Sequence, residues 1–260
     1  MKRWFHFLTL AALGIAVSCV SGILLVQFHY TGSGGPLAAL LEHDVQTSVW
    51  LSLAVSVSAA LLAAIFALPA GYALSRFNFR GKAAVEGLLV IPILMSPMAL
   101  GVSLLLLFRT STGQWVEDNI VRFVFELPGM LLAQFLVALS LETLVVRSAF
   151  DGVSIRYEQV ARFLGCTRWQ AFKRVTLPLA RNGIVSAIIL GWARAIGDFG
   201  ATSMIAGAVK GKTETMPIAI YLSMASVSLD RAVSLSIVLT LVTVLALALV
   251  QTLSVRDKND

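Results

Sequence analysis

The chain has 260 residues, of which 58% are hydrophobic and 13% charged, and its formal net charge is +6. This composition excludes a water-soluble domain of that size, because too few polar residues remain to cover a surface in water. The positive charge does not indicate nucleic-acid binding, because Lys and Arg cluster between apolar runs instead of lining one face. We therefore predict that lipid covers the protein.

Six apolar runs reach the length of about 20 residues that a helix needs to cross a bilayer. They cover residues 7–28, 49–74, 84–108, 129–146, 184–206 and 232–253. Backbone amides cannot stay unpaired in hydrocarbon, and the runs lack the short alternating segments of membrane strands, so helices are the predicted spanning structure. The predicted fold class is all-α, a polytopic membrane protein with about six transmembrane helices in a single domain over 1–260.

The first run resembles a secretory signal, with two basic residues before it and small residues leading to Cys19. Because it is long enough to span, we interpret it as a retained first helix, with cleavage as the alternative. The other cysteine, Cys166, falls in a polar segment, so no disulfide is predicted. The histidines lack acidic or thiol partners at ligand spacing, and no metal site is predicted.

The basic residues divide unevenly between the two sides of this topology. Of the 20 Lys and Arg, Arg194 lies within a span, five lie on one side and the remaining fourteen share the other. The positive-inside rule therefore predicts that both termini and the long segment 148–182 face the cytoplasm. The five residues on the outer side are Arg109, Arg122, Lys210, Lys212 and Arg231.

Prolines interrupt two of the predicted spans, with Pro69 in the second and Pro92 and Pro97 in the third. A proline inside a helix removes a backbone hydrogen bond and bends the helix, which a membrane tolerates where neighbours or a cavity satisfy the freed carbonyl. Two interpretations stay open, a packing kink and a bend that lines a pathway.

Residues 157–178 form a basic, amphipathic segment that predicts a helix, a break and a second helix. Gly165 is predicted to end the first helix, Thr167 to cap the second, and Pro178 to end the second. Such a pair either lies on the surface without a partner or presents its apolar stripe to one, and its basic residues also suit the anionic inner leaflet. The stripe of the first helix consists of Tyr157, Val160, Ala161 and Leu164.

This segment resembles the EAA loop of ABC importer permeases. The family pattern is E-A-A, three residues, G, nine residues, I, one residue, L-P; Gln159, Val160 and Val175 depart from it, while the Gly and Leu-Pro match. The resemblance implies a short coupling helix that lies in a cleft of a separate ATPase subunit. The residues to which we assign this coupling role are Glu158, Gln159, Val160, Ala161, Gly165, Val175, Leu177 and Pro178.

The fifth predicted span contains two opposite charges, Arg194 and Asp198, four residues apart and hence on one face of a helix. Lone charges are costly in lipid, whereas paired ones usually face the interior of the bundle. Two interpretations stay open, a structural ion pair that fixes helix packing and a pair beside the translocation path or its gate.

The surrounding segment, 191–221, is similar to the corresponding part of molybdate and tungstate permeases. Their Gly-Glu-Phe-Gly-Ala-Thr run stands here at 197–202 with Asp198 for Glu, and their Thr-x-Thr-x-Pro-x-Ala-Ile-Tyr run stands at 213–221. The resemblance implies an ABC importer type I permease for molybdate or tungstate, with sulfate or thiosulfate as the alternative. The residues that we place, as a hypothesis, at the path or gate are Pro97, Arg194, Asp198, Phe199 and Thr202.

The same resemblance implies the partners. A separate ATPase dimer would bind ATP and Mg, an external binding protein would deliver the anion, and a second copy of this chain would supply the second coupling loop. The chain itself is predicted to be no enzyme, to bind no cofactor and to lie in a prokaryotic inner membrane. The rival is an ATP-independent secondary carrier, for which Asp198 is the one acid that we place in the core of a span; a membrane enzyme is disfavoured, because the spans hold no catalytic constellation.

Overall fold

The computed structural model describes residues 2–31 and 35–256, which form α-helices joined by short turns, without a strand among them. The long helices are α1 (Lys2–Thr31), α3 (His43–Arg76), α7 (Leu127–Asp151), α10 (Leu177–Ile196) and α13 (Leu229–Arg256). The shorter ones are α2 (Gly35–Leu41), α4 (Lys82–Leu94), α5 (Pro97–Arg109), α6 (Ser111–Asn119), α8 (Ile155–Phe163), α9 (Arg168–Ala171), α11 (Gly200–Ala206) and α12 (Met216–Ala225). A π-helical segment, Phe172–Thr176, joins α9 to α10.

Among the described residues, five helices are long and apolar enough to cross a membrane, or six if the bent pair α4 and α5 counts as one span. This confirms the all-α, polytopic fold class. The span of α1 is not buried against the rest of the chain and packs mainly along α13, which leaves its apolar side chains for lipid or for another subunit to cover.

The core of the bundle lies where α3, α7 and α10 pack together. Ala63, Ala138 and Ala195, one from each helix, meet there and are fully buried. Small residues let helix backbones approach closely, which matters in lipid because the hydrophobic effect does not drive helices together. At Gly71 of α3, a Cβ atom would lie 2.7 Å from Val146 Cγ1 of α7, so this contact has no room for a side chain.

Ion pairs mark the two ends of the bundle. At the end where α3 finishes, which we call the Arg76 end, Arg76 Nε lies 2.8 Å from Glu158 Oε1. At the opposite end, the Glu42 end, Arg231 Nη2 lies 2.9 Å from Glu42 Oε2. A further pair at the Arg76 end is Arg147 with Glu86, and a further pair at the Glu42 end is Lys212 with Glu126.

The third span, 84–108, was predicted to be one helix bent at its prolines, and the prediction of a single helix is wrong. It consists of α4 and α5, whose axes differ by 110° across a break at Met95 and Ser96. Ser96 is extended because the residue before a proline avoids the helical region, and its hydroxyl caps α5 by accepting from Ala99 N at 3.3 Å. Pro97 therefore begins a helix instead of bending one, while Pro92 does lie inside α4.

The sequence predicted that Pro178 ends the second helix of the polar segment, and this prediction is wrong. A continuous stretch of 29 residues runs from Arg168 to Ile196 through α9, the π-helical segment and α10. A proline ring clashes with the carbonyl four residues earlier in an α-helix. The π-helical segment widens this turn, with Leu177 N donating to Phe172 O, so the chain passes Pro178 without a break.

The predicted fifth span, 184–206, starts earlier and is divided. α10 ends at Ile196 and α11 begins at Gly200, so Arg194 and Asp198 do not share one continuous helix. Asp198 lies in the break, where its side chain binds the backbone of Thr202. A side chain that bonds to the nearby backbone in this way competes with continuation of the helix.

Candidate functional site

The polar segment at the Arg76 end forms the predicted helix, break and second helix. α8 ends at Phe163, and Gly165 follows with a positive φ of 92°, a conformation that costs glycine least. Thr167 then caps α9 through a capping box, in which its hydroxyl accepts from Gln170 N and the Gln170 side chain accepts from Thr167 N. This confirms the predicted break and cap.

Glu158 joins this segment to the bundle. Its Oε1 accepts hydrogen bonds from Arg76 Nε and from Thr176 Oγ1, each at 2.8 Å, and its Oε2 accepts from Tyr72 Oη at 3.0 Å. The side chains of Arg76 and Glu158 are only 8% and 12% exposed. A charged pair this far from water, with further hydrogen bonds to the carboxylate, holds α8 firmly against α3 and the π-helical segment.

An aromatic cluster around Tyr72, which also bonds to Glu158, adds to this contact between the polar segment and the bundle. The ring of Tyr72 lies 4.6 Å from that of Phe172 and 5.5 Å from that of Phe150, both in edge-on arrangements that aromatic rings favour. Because these residues belong to α3, the π-helical segment and α7, the cluster packs the polar segment against two long helices. Trp169 stacks on Phe172 at 5.6 Å and extends the cluster toward the surface.

Three residues of the predicted stripe, Tyr157, Val160 and Leu164, are exposed, whereas the fourth, Ala161, is half-buried. Phe163, beside this stripe, is 91% exposed and Leu164 is 81% exposed, although both side chains are large and apolar. Beside them lies a groove of about 540 Å³ lined by Gln159, Arg162, Phe163, Cys166, Thr167 and Arg168. The other predicted coupling residues differ in exposure. Gln159, Val160 and Pro178 are exposed, whereas Ala161, Val175 and Leu177 are half-buried.

The second group of predicted residues meets at the break between α10 and α11. Asp198 is buried, and its Oδ2 accepts from Thr202 N at 3.0 Å and from Thr202 Oγ1 at 2.9 Å. Arg194 Nη1 lies 3.7 Å from Asp198 Oδ1, so the pair exists but is longer than a good charged hydrogen bond. The carboxylate therefore serves first as the cap of α11 and second as a partner of Arg194.

Pro97 and Phe199 complete this group. A Cβ atom on Gly200 would lie 2.7 Å from Pro97 Cβ, so the start of α5 packs directly on the start of α11. The ring of Phe199 lies 4.7 Å from that of Tyr221 of α12. The structure thus brings all the predicted path residues to the junction where three short helices meet.

The sequence reasoning missed Glu142. We placed Asp198 alone in the core of a span, yet Glu142 lies in α7, within the predicted fourth span, and is 0% exposed. The signal was present, because any acid inside an apolar run indicates an interior-facing, functional position.

These features define a class: a multi-pass membrane protein with a helical hairpin anchored to its bundle at one end. Residues 60–257 match the family described as "Binding-protein-dependent transport system inner membrane component". The chain belongs to this family, which comprises the permease subunits of ABC importers. The predicted recognition is confirmed at that level.

Individual relatives are similar over most of the chain. A probable molybdenum ABC transporter permease protein of Haloferax volcanii is 39% identical over 83% of this chain and 80% of its own. The sulfate transport system permease protein CysW of Synechococcus elongatus is 31% identical over 84% and 79%. In fold, a bacterial alginate ABC transporter, solved with an alginate pentasaccharide-bound periplasmic protein, matches with a TM-score of 0.77 at 15% identity, over 98% of this chain and 96% of that chain.

Proposed function

We propose that this chain is the permease subunit of an ATP-driven importer that moves a tetrahedral oxyanion, molybdate or tungstate, into the cytoplasm by alternating access. The observation that carries the anion is the 39% identity to the probable molybdenum permease of Haloferax volcanii. Molybdate and tungstate are tetrahedral dianions of the same charge, so a path built for one admits the other. The whole chain acts as a single transmembrane domain in this proposal.

The coupling surface is the α8–α9 hairpin. Its exposed Phe163 and Leu164, and the groove lined in part by Arg162 and Arg168, fit a cleft on a separate ATPase subunit that has apolar walls and acidic groups. That subunit binds ATP and Mg, and this chain contributes no catalytic group. Glu158 transmits the movement of the hairpin to α3.

The translocation path or gate lies at the junction of α5, α11 and α12. Pro97, Phe199 and Thr202 form its packed wall, and Asp198 holds the wall together through its bonds to Thr202. Arg194 is half-exposed, so it offers an arriving anion a positive charge that Asp198 only partly neutralises.

The assembly has two copies of this chain, because an ATPase dimer has two clefts and one chain offers one hairpin. Both termini and the Arg76 end lie in the cytoplasm, according to the distribution of Lys and Arg, and the Glu42 end receives an external binding protein. The membrane is the prokaryotic inner membrane. The periplasmic protein bound to the related alginate transporter supports this arrangement.

Sulfate is the second candidate, because the permease protein CysW of Synechococcus elongatus is 31% identical. The test is uptake of labelled molybdate into vesicles that contain the chain, its ATPase and its binding protein, in competition with tungstate and with sulfate. We expect tungstate to compete fully and sulfate weakly. Strong inhibition by sulfate and weak inhibition by tungstate would favour the sulfate assignment.

The same vesicles test the secondary-carrier alternative. We expect uptake to require ATP and the ATPase subunit, and to stop when either is withheld. Uptake that persists without ATP, by a chain with which no ATPase copurifies, would contradict the importer proposal.

A further inference from the structure

Glu142 is a buried carboxyl group that the proposed transport cycle leaves unused. It is 0% exposed, and neither of its side-chain oxygens has a hydrogen-bond partner among the described residues. Its side chain fills the space left by a glycine on the facing helix, since a Cβ atom on Gly191 of α10 would lie 2.5 Å from Glu142 Cγ. The pocket is thus closed by the contact between α7 and α10.

No charged group of the described helices forms a hydrogen bond with Glu142. On α7, Arg147 pairs with Glu86 of α4 at 3.0 Å. On α10, Arg194 pairs with Asp198 at 3.7 Å, and Arg181 precedes Gly191 by ten residues, which is about 15 Å along a helix.

The other helices that pack against α7 bring no nearer partner. α3 has no titratable residue between Asp44 and Tyr72, and the Tyr72 hydroxyl is bonded to Glu158. α11 has none, and the titratable residue of α5 is its last, Arg109. The remaining charge on α4 is Lys82, at its first position.

An ionised carboxylate in this pocket would be strongly disfavoured without a counter-charge, because it loses its hydration. A neutral acid loses only its hydrogen bonds to water, which is a much smaller penalty. The protonated form is therefore favoured while the pocket is closed. Water that entered between α7 and α10 would remove the cost of the charge.

We propose that Glu142 is a proton-binding site. The carboxylic acid keeps its proton while α7 and α10 are in contact, as in this structure, and releases it to water, becoming a carboxylate, when the helices separate. The release rests on the proposed alternating-access function, whereas the bound proton in the closed pocket does not.

The first test is infrared difference spectroscopy of the purified permease in lipid at neutral pH, comparing the native chain with Glu142→Gln. We expect the native chain to show an additional C=O stretching band of a protonated carboxylic acid. A pair of carboxylate bands in its place would overturn the proposal. If Glu142→Gln does not accumulate in membranes, Gly191→Ala serves instead, because its methyl group must displace the carboxyl group and shift the band.

The matched control for that variant is Gly197→Ala, whose added Cβ would have its nearest neighbour at 3.6 Å and which should leave the band unchanged. An equal shift in both variants would show that the band does not belong to the Gly191 pocket and would overturn the assignment.

The second test repeats the spectrum on the complex with its ATPase, trapped with ATP. We expect the acid band to decrease and carboxylate bands to appear. An unchanged acid band, in a complex that still transports, would overturn proton release while leaving the importer function intact. If ATP does not drive transport at all, the importer proposal fails, and the acid band of the permease alone still decides whether Glu142 binds a proton.

Discussion

Glu158 is the residue through which force from the hairpin would enter the bundle. It accepts hydrogen bonds from Tyr72 and Arg76 of α3 and from Thr176 of the π-helical segment. Its partner Arg76 also donates to Val153 O at 2.7 Å, just before α8. Removing the carboxylate would leave a guanidinium group with little access to water.

We predict that Glu158→Ala loosens the hairpin and uncouples ATP hydrolysis from uptake. Breaking a buried ion pair by removing one partner costs on the order of 3 kcal/mol, and here two further hydrogen bonds are lost. The measurement is the ratio of anion transported to ATP hydrolysed in vesicles. The matched control is Glu86→Gln, which breaks the more exposed pair with Arg147 and should cost no more than about 1 kcal/mol. Equal ratios in the two variants would contradict the role of Glu158.

Asp198 yields a prediction that separates its two roles. The sequence alone predicts that neutralising Asp198 is more harmful than neutralising Asp198 and Arg194 together, because the single change leaves a charge unpaired. The structure adds that Asp198 caps α11 through Thr202, and losing such a cap costs about 1 kcal/mol. We expect Asp198→Ala to lower thermal stability more than Asp198→Asn, whose side-chain oxygen can still accept from Thr202.

The double variant Asp198→Asn with Arg194→Gln is the test of the ion pair. We expect it to restore part of the uptake lost in Asp198→Asn. Equal uptake in the two would show that the contact at 3.7 Å contributes nothing, and Asp198 would then act only as a cap.

Which of these residues a sequence can reveal depends on whether their role is local. Gly165 and Thr167 were predictable, because a glycine stop and a threonine cap are decided by neighbours in the chain. That Glu158, and not Gln159 beside it, meets Arg76 could not be predicted, because the contact joins residues 82 positions apart. That Glu142 lacks a hydrogen-bond partner among the described residues depends on the packing of α7 against α10, which the sequence of neither helix reveals.

At the scale of elements, the hairpin depends on the tight turn at Gly165. We predict that Gly165→Val uncouples ATP hydrolysis from uptake while the chain still reaches the membrane. The added side chain meets no neighbour, but a φ of 92° is strained for valine by about 1–3 kcal/mol, so the turn must change shape. The measurement is again uptake per ATP hydrolysed.

The matched control is Gly81→Val. Gly81 has a φ of 86°, also lacks a neighbour for a Cβ atom, and lies in the turn between α3 and α4 at the same end of the bundle. A valine at position 81 therefore has about the same backbone strain as a valine at position 165, but it lies outside the hairpin. Equal uncoupling in the two variants would show that strain alone, and not the hairpin, is responsible.

The turn before α12 yields a prediction about pH. Burial raises the pKa of the Glu214 carboxyl, which Lys210 lowers, Asp44 raises and Arg231 lowers to smaller extents. A folded-state pKa above the unfolded one stabilises the fold fully below the unfolded-state pKa, and this contribution is lost as the pH rises through the folded-state pKa. We therefore expect Glu214→Gln to raise the Tm at neutral pH, and the gain to vanish as the pH falls below the unfolded-state pKa of about 4.3.

Glu126→Gln is the control for that measurement. Glu126 lies at the same end of the bundle and pairs with Lys212, so its loss removes a favourable contact. We expect a lower Tm at neutral pH in this variant. A gain in Glu214→Gln that did not depend on pH would contradict the explanation by burial.

The elements themselves were predictable where a long apolar run decides them, as in α3, α7 and α13. Prolines limited the prediction at two other places. Pro97 was expected inside a helix and begins one, because Ser96 takes the cap position. Pro178 was expected to end a helix and lies within one, because a π-helical turn accommodates its ring. A proline shows where regular α-helix is interrupted, but packing decides what replaces it.

In the whole molecule, two long helices connect the hairpin at one end to the junction of short helices elsewhere in the bundle. The links are α3 and α10: α3 carries Tyr72 and Arg76 at the hairpin, and α10 runs from the π-helical segment to Arg194. Both pack against α7 along their length. A displacement of the hairpin therefore moves helices that reach the junction, and two copies of the chain would let an ATPase dimer move both at once.

The central claim is that the hairpin docks into the ATPase on the cytoplasmic side, and Cys166 permits a direct test. It lies half-buried in the groove of the hairpin, and the second cysteine of the chain, Cys19, can be replaced by serine. A membrane-impermeant maleimide is applied to vesicles of each orientation, with and without the ATPase subunit. We expect Cys166 to react only from the cytoplasmic side and to be protected when the ATPase is present. Reaction from the outer side, or labelling that the ATPase leaves unchanged, would contradict the claim.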